Sequence, residues 1–263
     1  MLGAIIGDIV GSIYEFSNWR DKHFPLFTEQ SRPTDDTVCT VAVADCLIHQ
    51  IDPAESFIKW CSRYPRAGYG SSFRQWLGTK KQAPYNSYGN GAAMRVSPAA
   101  LLATSLEDAR QKAIRVTEVT HNHPEGIKGA LATVDALWMG FEDCPAEQIR
   151  AHVAATYGYD MNRSVDSIRP GYVFNESCQG TVPEAIICAL EATDFEDAIR
   201  NAISIGGDSD TVGAIAGGIA EARFGVPQSI ADQAMLRLTD DLRTIVDKMY
   251  AVAAELPSRQ RQL

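Results

Sequence analysis

The chain has 263 residues, 45% of them hydrophobic, a formal net charge of -9 and six scattered cysteines. That length supports a sizeable core, and the acidic balance argues against nucleic acid or an anionic membrane surface as partner. No stretch approaches the roughly 20 apolar residues of a membrane span, and cysteines without CxxC spacing suit reduced thiols in a cytoplasmic protein better than a disulfide framework or a zinc site.

The chain opens on an apolar segment containing GDIVGSIYE (residues 7–15). Asp8, Ser12 and Glu15 fall four and three residues apart, which predicts one face of a helix thinned for close packing by Gly7 and Gly11. TDDT at 34–37 leads into the helical run VCTVAVADCLIHQ. Helix-entry spacing then recurs at Asp52-Pro53-Ala54-Glu55, Ser105 with Asp108, Thr181 with Glu184, and Asp194 with Asp197, each ahead of an apolar run of helical period. Gly89-Asn90-Gly91 predicts a turn feeding a helix N-terminus, where free N–H groups favour a phosphate. His121 and His123 stand near a helix end. GGDSDT at 206–211 opens the small-residue run VGAIAGGIAEARFG. Strand-like alternation is scarce, so the expected fold is all-α, a single domain over 1–263 with about ten or more helices. The connections at about 63–95 and 158–181 exceed ordinary loop length and are expected to build the site.

TDDT and GGDSDT each place two carboxylates and a hydroxyl at a helix entrance. Aspartate and threonine are ordinary N-caps, and negative charge there is worth about 0.3–1 kcal/mol. One cap needs one acceptor, however, and a second acid at each site suits all-oxygen ligation of a hard divalent cation. Glu15, Asp35, Asp36, Asp208 and Asp210 would together carry about -5, which requires raised pKa values or bound cations.

GDIVGSIYE, TDDT, SYGNGAAMR, the histidine of THNHPEG and GGDSDT resemble, in that order, the signature stretches of the ADP-ribosylglycohydrolase family, which includes the dinitrogenase-reductase-activating glycohydrolases. The resemblance implies an all-α domain with two Mg²⁺ or Mn²⁺ ions that hydrolyses the bond between ADP-ribose and an acceptor, either a protein side chain such as arginine or serine or a small ADP-ribose derivative. It implies metal ligands at Thr34, Asp35, Asp36, Asp208, Asp210 and Thr211, and catalytic roles for Glu15 and Asp36. Substrate contacts fall on Ser87, Tyr88, Gly89, Asn90, Gly91 and His121. Asp8 is expected to be structural. Asn86 stands where many members have glycine, and Val38 and Cys39 stand where longer residues are frequent. A metal-binding ADP-ribose receptor without activity, and a two-metal nucleotide pyrophosphatase, are the alternative readings.

Overall fold

The computed structural model describes residues 1–80 and 82–258; Lys81 and residues 259–263 of the expected 1–263 domain lie outside the described residues. In chain order the helices are α1 (Leu2–Gly11), α2 (Asp35–His49), α3 (Pro53–Arg63), α4 (Ser71–Leu77), α5 (Ser97–Leu101), α6 (Leu106–Thr117) and α7 (Pro124–Phe141). They continue with α8 (Ala146–Tyr157), α9 (Val165–Ile168), α10 (Cys178–Leu190), α11 (Phe195–Ser204), α12 (Ser209–Phe224), α13 (Gln228–Met235) and α14 (Asp240–Ala254). A 3₁₀ turn spans Asn90–Ala92. Among the described residues the only β pairing is an isolated bridge between Gly89 and Ser177, so the fold is all-α as expected. No helix among the described residues is long and apolar enough to cross a membrane.

Three of the four expected helix entries cap as their residue types dictate. Asp52 accepts from Ala54 N and Glu55 N at 2.8 and 3.2 Å, Ser105 from Asp108 N at 3.1 Å, and Asp194 from Asp197 N at 2.8 Å; each such cap is worth about 1 kcal/mol. The fourth is misplaced. Helix α10 starts earlier, capped by Ser177, and Thr181 and Glu184 lie inside it. Asn175 Oδ1 accepts from Ser177 N, which sets the turn, and Thr181 Oγ1 donates back to Asn175 O at 2.8 Å instead of capping. The first helix also stops short: α1 ends at Gly11, and Glu15 lies in the turns beyond it. Ser12 Oγ donates to Ile9 O at 2.9 Å, a local bond that competes with helix continuation. The predicted common helical face of Asp8, Ser12 and Glu15 therefore does not exist.

Helix α12 is central, with α1, α7, α10 and α11 packed around it. Its contact with α1 is backbone against backbone. A Cβ at Gly3 would stand 2.2 Å from Gly217 O, one at Gly7 1.9 Å from Gly213 O, and one at Gly11 2.4 Å from Ser209 O. Only glycine fits such distances, so the thinning read from Gly7 and Gly11 is what the structure uses. It holds the N-terminal turn of α12, where Asp208 and Asp210 sit, hard against the end of α1.

Candidate active site

Two helix N-termini meet at the cleft, that of α2 with Asp35 and Asp36 and that of α12 with Asp208 and Asp210. Behind them Asp8, fully buried, accepts hydrogen bonds from Thr34 N (2.9 Å), Thr34 Oγ1 (2.6 Å), Thr37 N (3.0 Å) and Thr37 Oγ1. The expected structural role of Asp8 is thus visible as a clamp that fastens the first turn of α2 to α1. Gly206 and Gly207 both take positive φ, +73° and +74°, and so supply the sharp turn into α12. Opposite, Asn90 Nδ2 donates to Asp208 Oδ2 at 2.6 Å and to Thr181 Oγ1 at 3.2 Å, tying the 3₁₀ turn to the acids.

The cleft has a volume of about 290 Å³. Of the residues named from sequence, Glu15, Asp35, Asp36, Ser87, Gly89, Asn90, Gly91, His121, Asp208, Asp210 and Thr211 line it. Two do not. Thr34 is N-cap of α2 with its hydroxyl donated to Asp8, and Tyr88 is half exposed, its ring edge-on to His123 at 5.2 Å. Gly89-Asn90-Gly91 enters a 3₁₀ turn rather than the N-terminus of an α-helix, so the anion site expected there has no helix dipole behind it. Asn86 has φ +54°, a left-handed conformation that asparagine tolerates better than most residues, which accounts for its standing in a glycine position. Val38 is buried in the core, whereas Cys39 faces the cleft.

Carboxylate oxygens of Glu15, Asp208 and Asp210 lie within 4.8 Å of one another. Thr211 Oγ1 donates to Asp36 Oδ2 at 3.4 Å, while Asp36 Oδ1 is buried without a hydrogen-bond partner. Burial, and after it the charges of Asp210, Asp8 and Glu176, push Glu15 up to about 7. Burial and Asp210 push Asp35 up to about 8, and burial raises Asp208 to about 6 against the Asn90 hydrogen bond. Asp36 and Asp210 rise well above the carboxylate range, again through burial first and neighbouring acids second. Burial and mutual repulsion thus disfavour full ionisation of the group by the protein chain alone. An orphaned buried oxygen within an all-oxygen acidic set is what a hard divalent cation fits, and its charge would reverse these shifts.

The family model for ADP-ribosylglycohydrolase matches residues 1–260. The chain belongs to the ADP-ribosylglycohydrolase family. Among its relatives, ADP-ribosylhydrolase ARH3 of Mus musculus is 26% identical over 87% of this chain and 83% of its own. ADP-ribosyl-[dinitrogen reductase] glycohydrolase of Rhodospirillum rubrum is 25% identical over 96% and 94%, and ADP-ribosylarginine hydrolase Tri1 of Pseudomonas putida is 25% identical over 86% and 70%. A solved ADP-ribosylglycohydrolase-related protein complex shares the fold with a TM-score of 0.69 at 23% identity, covering 96% of this chain and 97% of that one. For this member of the family, sequence reasoning missed Glu176, Gly68, Tyr85 and Arg95, all of which line the cleft. Glu176 sits in the long 158–181 connection, and Arg95 ends SYGNGAAMR, beyond its glycines.

Proposed function

We propose that the protein is a two-metal-dependent hydrolase that cleaves the glycosidic bond between ADP-ribose and an acceptor, in the cytoplasm. The observation that carries this reading is the meeting of Glu15, Asp208 and Asp210 within 4.8 Å beside the unpartnered Asp36 Oδ1. Asp35, Asp36, Asp208, Asp210 and Thr211, with Thr34 at the edge of the set, are the proposed ligands of two Mg²⁺ or Mn²⁺ ions. Bound there, the ions supply positive charge and Lewis acidity toward ribose hydroxyls and water.

The chain's own residues do the rest. Ser87, Gly89, Asn90 and Gly91 form the opposite wall and position the substrate, with Tyr88 at the outer edge. Glu15, half-buried where its neighbours Asp208 and Asp210 are buried, is placed to give and take a proton at its carboxylate. Asp36, with one oxygen left unpartnered, is the second carboxylate proposed to act on the positive charge that glycosidic cleavage develops at an anomeric carbon. The acceptors named for relatives, ADP-ribosylarginine and ADP-ribosylated dinitrogen reductase, frame the substrate class to be tried.

The test is hydrolysis of arginine-linked, serine-linked and small-molecule ADP-ribose derivatives, with Mg²⁺ and with chelator, by wild type and Glu15→Gln. Free ADP-ribose is the expected product, with Glu15→Gln slower by about 10²–10⁴-fold. Release of AMP would establish the pyrophosphatase alternative, and tight binding without turnover the inactive receptor.

A further inference from the structure

Arg95 is 1% exposed and lines the cleft. Instead of a carboxylate it is held by a hydroxyl, an imidazole and two aromatic faces: Nη2 lies 2.6 Å from Thr120 Oγ1 and 3.3 Å from His121 Nδ1, and the guanidinium sits 4.3 Å from the Phe57 ring centre and 5.7 Å from that of Phe73. A weakly hydrated guanidinium stacks on aromatic faces more readily than an ammonium does, which suits Arg95 to such a place. A guanidinium has five donors and no acceptor. His121 Nδ1 must therefore present its lone pair to Arg95. Thr120 agrees with this: its oxygen accepts from Arg95, and of the two acceptors open to its proton Nδ1 at 2.8 Å is far nearer than Thr117 O at 3.5 Å. Burial first, and the Arg95 charge second, hold the His121 pKa well below the ordinary value, so the ring is neutral and carries one N–H. That proton is on Nε2. Nε2 faces Gly89 and Gly91, where an added Cβ would stand 3.5 and 3.1 Å away, so the missing side chains leave this face of the ring open.

We propose that Arg95 is a positioning residue that locks His121 in the Nε2–H tautomer, so that the ring offers the cleft a fixed hydrogen-bond donor and selects an oxygen acceptor on the ligand. The identity of that oxygen, a phosphate or ribose oxygen, rests on reading the cleft as an ADP-ribose site; the lock itself does not. A fixed donor needs no reorganisation when ligand arrives, and a ring populating both tautomers would bind with an affinity reduced by the competent fraction.

The experiment is ¹⁵N NMR of the full chain labelled at histidine, without ligand, on wild type, Arg95→Met and Thr120→Val, with ADP-ribose affinity measured by calorimetry on each. Wild type should show Nδ1 unprotonated and Nε2 protonated. Thr120→Val should keep that pattern, because Arg95 alone dictates it, and Arg95→Met should move both nitrogens toward intermediate shifts. Affinity for ADP-ribose should fall about twofold or more in Arg95→Met, the penalty for a competent tautomer at half population. An Nδ1–H ring in wild type, mixed tautomers in Thr120→Val, or an Arg95→Met ring that stays Nε2–H would each overturn the lock. Unchanged affinity with mixed tautomers would overturn its role in binding. A wild type that shows the lock and binds no ADP-ribose would leave the lock standing and sink the ADP-ribose reading instead.

Discussion

Asp135 in α7 and Asp36 in α2 are buried alike, yet their surroundings push them in opposite directions. Asp135 accepts from Arg110 Nε and Nη2 at 2.8 and 2.6 Å, from Tyr157 Oη at 2.7 Å, and lies 2.7 Å from His152 Nε2. Burial raises its pKa, but those partners outweigh it and the carboxyl ends below the usual range. Asp36 has a threonine hydroxyl on one oxygen, nothing on the other, and acids as its charged neighbours, so its pKa climbs. Asp135 is compensated by a cation of the chain's own, and structural Asp8 by four donors from Thr34 and Thr37. At the cleft several carboxylates lack such partners, and the difference marks where the proposed cations would add most.

The strongest way to break that comparison is Arg110→Met. Stripping Asp135 of its cation should cost about 3–5 kcal/mol, read as a lower urea midpoint; a loss below about 1 kcal/mol would mean that neutral donors suffice and the contrast with Asp36 is empty. Next comes Asp210→Asn, which should lower kcat/KM by about 10³-fold, the rate equivalent of several kcal/mol of lost cation chemistry, without destabilising the metal-free chain. Equal losses of activity and metal-free stability would place Asp210 among structural acids such as Asp135. Asp8→Asn is milder: it loosens the clamp on Thr34 and Thr37, and Mg²⁺ affinity by titration should weaken about 10–100-fold.

The smallest effect concerns pH, and its sign differs between the two regions. Asp208, Glu15 and Asp35 have folded pKa values near 6, 7 and 8, above their ordinary values, so their contribution to stability is complete below the ordinary carboxylate pKa and is lost as pH rises from there through the folded values. Asp135, depressed, contributes above the ordinary carboxylate pKa and loses that contribution only as pH falls through its folded value. The melting temperature of the metal-free protein should therefore decline between about pH 5 and 8, and Mg²⁺ should restore more at pH 8 than at pH 5. A flat profile would show that the cleft acids are already compensated.

Helical period, caps and paired acids made the all-α class and both acidic motifs legible in the sequence, because those features depend on neighbours a few residues away. Glu15 was found for a reason that failed: no helix presents it, and it reaches Asp208 and Asp210 only because the chain turns after Gly11. The Thr181 entry was misplaced because Asn175 and Ser177 offer a competing cap that spacing alone does not rank below it. Arg95 and Glu176 stayed hidden since their significance is a relation to partners far along the chain, Thr120 and His121 for the one, the cleft mouth for the other. Tyr88 is the converse case, a residue inside a matching motif whose half-exposed ring lies outside the cleft lining.

The glycine seam between α1 and α12 has one more consequence, for mechanical compliance. Contacts made through side chains yield when rotamers hop or a methyl group is trimmed, but Gly3, Gly7 and Gly11 bring α1 against the main chain of α12 with nothing in between to repack. The spacing between the Asp8 clamp and the α12 carboxylates is thereby set by peptide dimensions rather than by core volume. Side-chain repacking elsewhere in the alanine-rich interior therefore has no lever on that spacing, and the α12 carboxylates are held to α1 by main-chain contact.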